Sequence, residues 1–469
     1  MLGWLSAMLV AQANVPEVEP QVRVRSQLVS PLPGQLDTVP VFNSNSPELV
    51  GNPGILLSTF PPGGMTHPEA HLDYAFNGRF DVFAHHVYKA ESEDLSALYL
   101  GILVHNPGTE TVTVNVLAGA SYLSQPDAPF ITLPTVEPFS PLDPVYAGPG
   151  SRVMEMLLRG GRQAELPSQL VLAPGESGLL LNQPIPVDTL EPPINGRSTL
   201  MRLRSNGPVY VASLAQFANG EAEEGAIGDS VPAPNLEQWQ QVLTEGMLST
   251  PRDRAPTPIQ PDPEQVIYGR VAGVSQGSSW TATLTDDAQT DYLTIPEAGG
   301  AQSFGISTLY VGRLGTGQNQ SAQMLVRYPD TAYQAHGNYG VEYDLTLPLY
   351  NPTDEPQEVV ITFETAIKED TLTTDGLQFF EPLPPQTFFR GPVQFRYRDD
   401  DGLPRIRNYH LVQRRGQSGD SLVRIVLQPQ ERRRVEVNLL YPPDSTPPQV
   451  LTVKTLGAAV SQQQLSLPE

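Results

Sequence analysis

Forty-eight of the 469 residues are proline, about a tenth of the chain against a usual ~5%. Proline fixes φ and has no backbone N–H, so it breaks helix interiors and central strands. It is tolerated at strand ends, sheet edges and turns. Prolines this dense and this evenly spread predict an all-β chain with many loops.

The length fits two domains at roughly 100–200 residues each, and each half is long enough to bury a sizeable core. Net charge is −23. Phosphate backbones and anionic headgroups need Lys and Arg to neutralise them, so nucleic acid and anionic membrane surfaces are not expected partners. An acidic surface also keeps an exported protein soluble. There is no cysteine, which excludes disulfides, thiol catalysis, zinc–thiolate sites and cysteine lipidation.

Residues 1–13 form an apolar run ending Ala11-Gln12-Ala13. This small-x-small ending is the kind a signal peptidase accepts. The run is too short to cross a bilayer, which takes ~20 residues. It lacks the usual basic start, consistent with a start codon further upstream. No later segment is long and apolar enough to be transmembrane. Export to the periplasm or the extracellular space is therefore expected.

The chain carries an internal duplication with three ordered landmarks. The first is an apolar strand, an Asn-Pro turn and a second strand: Leu98 to Val116 around Asn106-Pro107, and Tyr343 to Phe363 around Asn351-Pro352. Asn-Pro starts turns, so a β-hairpin is expected in each half. The second is a Gly-Gln-type loop at Gly161 to Gln163 and Gly416-Gln417. The third is strand–Pro-x-Glu–strand, at Pro174 to Glu176 and at Pro429 to Glu431. Gly to Pro spans 174 − 161 = 13 in the first copy and 429 − 416 = 13 in the second; Asn to Pro spans 68 and 78. Short strands recurring every 8–12 residues with turns between them point to sandwiches.

The expected fold is thus all-β, with two tandem β-sandwich domains, immunoglobulin-like or jelly-roll-like, a short connecting helix and a Pro-rich linker. The expected division is a signal-like segment 1–13, an extended Pro/Ser/Asn-rich region 14–62 and a first sandwich 63–218. A helix and linker at 219–263, a second sandwich 264–460 and a tail 461–469 complete it. The helix begins at Asn235, a capping residue, with apolar residues at Leu236, Trp239, Val242 and Leu243. A second short helix is expected over Arg152 to Leu158.

Few motifs carry chemistry. Gly273-Val-Ser275-Gln-Gly277 has the G-x-S-x-G spacing, but that motif works only between a strand and a helix. Here β-prone sequence follows, so a loop or hairpin is expected. Gly315-Thr-Gly317 resembles the start of a dinucleotide fingerprint without the βαβ unit it needs. Four of the seven histidines, His67, His71, His85 and His86, lie close in sequence. His67 and His71 would share one face if helical and, with Glu69 or Asp73, would suit zinc or copper. The alternative is ordinary loop and strand histidines. His85 and His86 fall on a strand and face opposite sides. Asp399 and Asp401, in an Asp-rich turn, would suit calcium, although Asp-Gly there is also a common hairpin turn. Thr285 to Asp291 is a second acidic turn. Arg432-Arg433-Arg434 with Arg414-Arg415 is the basic cluster. It either meets carboxylates or forms an anion-binding face. Trp239, Trp280 and the tyrosines are candidate sugar platforms or core residues. No catalytic or cofactor-binding residue is assigned; calcium and zinc are the ions these side chains would take.

The stretches Pro53 to Phe60, His71 to Phe80, Arg270 to Asp286, Tyr328 to Tyr343 and Leu411 to Gly416 together resemble a cyanobacterial family of uncharacterised proteins. The resemblance covers nearly the whole chain after the signal-like segment. It implies a photosynthetic bacterial source and export, and supplies no catalytic residues. The functional expectation is a non-catalytic envelope protein that binds a polysaccharide or another envelope protein, the duplication raising avidity. The alternatives are a hydrolase of wall or extracellular glycans and a self-assembling structural component. Oligomeric state stays open.

Overall fold

A computed structural model describes residues 19–91, 95–218, 232–259, 266–372 and 376–457. The signal-like segment 1–13, the tail 461–469, and residues 219–231 and 260–263 of the expected linker lie outside them.

The described residues are mostly strand and form an all-β, sandwich-like fold with two α-helices. The first sandwich is organised by one long strand, Ile194–Phe217. Its first half pairs with Phe76–Lys89 and Val112–Leu123 in one sheet. Its second half pairs with Leu98–His105 and Gly54–Ser58 in the facing sheet. The register breaks between Ser205 and Val209, across Asn206-Gly207-Pro208, where proline lacks the donor that a continuous ladder would use. Phe76, Phe80, Val82, Leu100, Ile102, Val114 and Met201 fill the space between the sheets.

In the second sandwich a seven-stranded sheet faces a five-stranded one. Glu342–Tyr350 alternates strictly, with Tyr343, Leu345, Leu347 and Leu349 buried. These side chains meet Phe304, Ile361, Phe363, Leu451 and Val453 of the other sheet.

The two copies fold alike at their landmarks, but not as hairpins. Leu98–His105 and Val112–Leu123 do not pair with each other; they pair with Ser177–Ile185 and Gln169–Leu172 respectively. In the second copy Glu342–Tyr350 pairs with Arg432–Leu440, and Gln357–Glu364 with Val423–Leu427. Each Asn-Pro turn is therefore an arch from one sheet to the other. The registers match as well. Ser177, three past Pro174, pairs with His105; Arg432, three past Pro429, pairs with Tyr350.

The asparagine explains the arch. Strands that part company leave carbonyls without ladder partners, and these must be satisfied another way. The Asn106 amide donates to the carbonyls of Glu110, Leu172 and Ala173 at 2.8, 3.0 and 3.1 Å. The Asn351 amide donates to those of Glu355, Leu427 and Gln428 at 2.9, 3.0 and 3.1 Å. Each asparagine oxygen accepts the N–H two residues on, from Gly108 or Thr353. Glu176 and Glu431 close the facing turn, each accepting a backbone N–H at 2.7 Å. The copies diverge at the second landmark. Gly161 follows helix α1 (Ser151–Leu158), whereas Gly416 follows the strand Pro404–Arg414.

Strands cross between the sandwiches. Ala272–Gln276 and Ala322–Arg327 extend the large sheet of the first sandwich, and Val136–Phe139 extends the seven-stranded sheet. The region expected to be extended contributes to both. Gln21–Ser26 and Leu28–Ser30 join the second sandwich, and Pro40–Ser44 joins the first. Helix α1 lies between them, with Val153, Met154 and Leu157 against Phe83, Ala120 and Leu200 on one side and Leu440 on the other. Helix α2 (Leu236–Glu245) is capped by Asn235 in a reciprocal box with Gln238. It lays Trp239 and Leu243 on Ile55, Leu103 and Leu214. Gly101 is needed beneath it, because a Cβ there would sit 2.7 Å from the Trp239 ring.

A buried carboxylate anchors the N-terminal strand. The Glu364 side chain is fully buried. It receives Arg25, Lys454 at 2.8 Å and the Thr452 hydroxyl at 2.8 Å. Burial alone would raise its pKa, but the bonds and charges of Arg25 and Lys454 outweigh that and hold it below the ordinary carboxylate value. Its stabilisation is thus complete above the ordinary carboxylate range and is lost as pH falls through the lowered folded value.

Two outcomes follow in denaturant titrations. Asn106→Ala and Asn351→Ala each destabilise by about 2 kcal/mol or more, since carbonyls lose their donor, and by similar amounts. Glu364→Gln costs about 2–4 kcal/mol at neutral pH by leaving two half-buried cations without their carboxylate, and the loss of stability in acid becomes shallower than in the parent.

Candidate functional site

The histidines do not assemble a metal centre. Pro68–Ala70 is a single 3₁₀ turn and His71 is extended (φ −130°), so His67 and His71 do not share a helix face. His67 lies 3.4 Å from Glu69. His71 is buried and its Nδ1 is 2.8 Å from the Ser58 hydroxyl; burial lowers its pKa. This Ser–His pair is closed to substrate, because Ser58 is fully buried. His85 and His86 do face opposite sides. His86 bonds Ser44 and the Pro47 carbonyl, while His85 bonds Ser198. Burial pulls His86 down to about 4. Among the described residues no three His, Asp or Glu side chains group as metal ligands.

Other sequence candidates are also structural. Ser275 is buried in a strand paired on both sides, not on a strand-to-helix turn. The Gly315–Gln320 stretch is a turn whose Gln318 side chain bonds both backbone groups of Leu32. Trp239 and Trp280 are buried, with their indole N–H groups on Asn182 and the Pro33 carbonyl. Neither is a sugar platform.

The Asp-rich turn closes the hairpin of Thr387–Arg398 with Pro404–Arg414. Asp399 accepts the N–H groups of Asp401 and Leu403 at 3.1 and 2.9 Å, and the Arg405 guanidinium. Desolvation pushes its carboxyl up, but the bonds from Leu403, Arg405 and Asp401 together outweigh it and hold the carboxyl below the usual range. Gly402 takes the left-handed position (φ +76°). Asp400 accepts Val426 N–H at 2.9 Å and Arg433 at 2.6 Å. Asp401 is exposed. The turn is thus organised by guanidinium groups and backbone N–H groups.

Beside this turn opens a cleft of about 530 Å³. One wall is the hairpin; the other is the turn Gln428 to Glu431 and the start of Arg432–Leu440. Arg396, Tyr397, Arg398, Arg432, Arg433 and Arg434 line it, interleaved with Asp399, Asp400, Glu431 and Glu436. Two other cavities, of about 30 and 10 Å³, have room for no more than a water or two.

The arginine cluster read from sequence meets carboxylates here. Arg432 pairs with Asp291 and lies over the rings of Tyr292 and Tyr350 at 4.6 and 5.6 Å. Arg433 joins Glu431 to Asp400, and Arg434 pairs with Glu436 at 2.9 Å. Sequence reasoning does not single out Arg396 and Arg398, although their i, i+2 spacing before an Asp-Gly turn was a readable sign of two cations on one strand face. Both are exposed. Arg398 donates to the Gly402 carbonyl at 2.8 Å, and no ion pair involves either among the described residues. Ser177-Gly178-Leu179 stands where the second copy has Arg432-Arg433-Arg434.

Because the Asp399 and Asp400 carboxylates are held by arginine and backbone N–H groups, the Asp turn needs no cation for shape. Millimolar calcium, or zinc followed by dialysis, leaves the melting temperature unchanged in differential scanning calorimetry.

A family model described as "Protein of unknown function (DUF3370)" matches residues 27–455. No curated protein matches the sequence. Among solved structures, the crystal structure of Lac15 from a marine microbial metagenome is similar at 11% sequence identity and a TM-score of 0.11. That match covers 81% of this chain and 53% of the other, so the chain spans about half that protein's length, and a likeness this slight carries no argument. The family match extends over both sandwiches, and the chain belongs to the DUF3370 family of proteins of unknown function.

Proposed function

We propose that this chain is an exported, non-catalytic protein of a cyanobacterial envelope, periplasmic or extracellular, that binds an envelope polysaccharide through the cleft of its second sandwich. The observation that carries the reading is the cleft itself. It is open, about 530 Å³, and walled by guanidinium groups with Tyr397 half-buried among them. Such a wall offers many donors in fixed orientations, which suits a ligand rich in oxygen acceptors.

Binding accounts for this chemistry better than hydrolysis. A glycosidase needs one carboxyl held protonated and a second one free to act as base or nucleophile. The four acidic side chains of the cleft are instead each engaged by arginine: Asp399 by Arg405, Asp400 and Glu431 by Arg433, and Glu436 by Arg434. The Asp399 pKa is moved down, away from that of a general acid. The apolar start ending at Ala13 supports export. No helix of the described residues is long and apolar enough to cross a membrane. Since Ser177-Gly178-Leu179 in the first copy takes the place of the cleft's Arg432-Arg433-Arg434, the duplication contributes a frame, and each chain carries one such arginine wall.

The test is co-sedimentation of the purified chain with insoluble cell wall and extracellular polysaccharide of the source organism. Saturable pelleting with one site per chain, and no release of reducing ends, is expected. Release of reducing ends would replace binding with hydrolysis, and absence of pelleting would overturn the reading.

A further inference from the structure

We infer that the ligand of the cleft is an anionic polysaccharide, bearing carboxylate or sulfate groups, and that Arg396 and Arg398 are the residues that take those groups; this rests on the glycan-binding reading above. The cleft is lined by five arginines and a single aromatic residue, Tyr397. A neutral sugar is usually gripped by exposed aromatic faces, and the two tryptophans among the described residues are buried elsewhere. Guanidinium groups instead present a planar fork of donors that matches a carboxylate or sulfate in two-point contact.

The pairing pattern picks out which arginines are available. Arg432, Arg433 and Arg434 are each occupied by a carboxylate of the protein. Arg405, behind the turn, is occupied by Asp399. Arg396 and Arg398 have no such partner among the described residues, and both are exposed on the strand Thr387–Arg398. Residues two apart on a strand face the same side, roughly 6.7 Å apart along it. Two cations without an ion pair among the described residues therefore stand in a row on one strand face. Of the nearby carboxylates, Asp400 and Glu431 are engaged by Arg433 and Glu436 by Arg434. Arg396 lies opposite Glu436 in the strand register, but Arg434 engages that carboxylate at 2.9 Å.

The chain as a whole carries −23, so its far field repels polyanions, and only a local cationic row can hold one. At physiological salt the repulsion is screened beyond about 8 Å while contact pairs remain.

The experiment is equilibrium binding of the full chain to the source organism's extracellular polysaccharide at physiological salt. The polymer is used native and after carboxyl reduction and desulfation. Binding to the native polymer and at least tenfold weaker binding to the neutralised polymer are expected. The Arg396→Ala/Arg398→Ala variant should lose at least tenfold on the native polymer with a melting temperature close to the parent's. The Arg396→Lys/Arg398→Lys variant should keep part of the affinity. Equal binding of both polymers, or native binding unchanged in the alanine variant, would overturn the anionic inference while leaving glycan binding standing. Failure of the parent chain to bind either polymer would overturn the glycan-binding reading itself.

Discussion

Two buried asparagines hold the corners on which both sandwiches turn. Where a strand leaves one sheet and the next begins in the other, the carbonyls at the corner lose their ladder partners. Asn106 and Asn351 each return a donor to three of them, with distances that agree within about 0.1 Å between copies. Only a short side chain with both a donor and an acceptor can do this. The facing Pro-x-Glu turn completes the corner, because Glu176 and Glu431 cap its N–H groups. The register of the paired strands on both sides follows from these fixed points, and so does the placement of every residue three past the second proline. In the first copy that residue is Ser177. In the second it is Arg432, the first of the arginines on the cleft wall.

Several of these features were readable in the sequence. Proline density, alternation such as Val112, Val114 and Val116, and the absence of long amphipathic stretches gave an all-β fold. Asn235 marked the start of α2, and the Asn-Pro and Pro-x-Glu landmarks shared by the two halves revealed the repeated corners. What could not be read was partnership. Alternation tells which face of a strand is buried but not which strand lies beside it. The Asn-Pro turn therefore looked like a hairpin and proved to be an arch. For the same reason nothing local announced that Ala272–Gln276 would extend the first sandwich or that Val136–Phe139 would extend the second. Such exchanges tie the sandwiches together, with α1 filling the space between them.

The site was legible in part. Arg432-Arg433-Arg434 stood out as the basic cluster of an acidic chain, and both meanings weighed for it bear on the cleft. The arginines meet carboxylates, and Arg396 and Arg398 on the neighbouring strand have no ion pair among the described residues. Asp399 and Asp401 drew notice as possible cation ligands because acidic turns favour calcium, but Arg405 already pairs with Asp399 and Arg433 with its neighbour Asp400. His67 and His71 were placed together by a helical spacing that the Pro68–Ala70 turn does not provide. In each case the missing information was a residue distant in sequence, brought close by the sheet.

Hydrogen–deuterium exchange of the chain with and without its polysaccharide tests this account most directly, because it reports where the ligand sits without presuming which residues hold it. Protection confined to residues 394–404 and 428–436, with the rest of both sandwiches unchanged, is the predicted result. Protection centred on the first sandwich or on helix α2, with the arginine-lined cleft exchanging as freely as before, would contradict it.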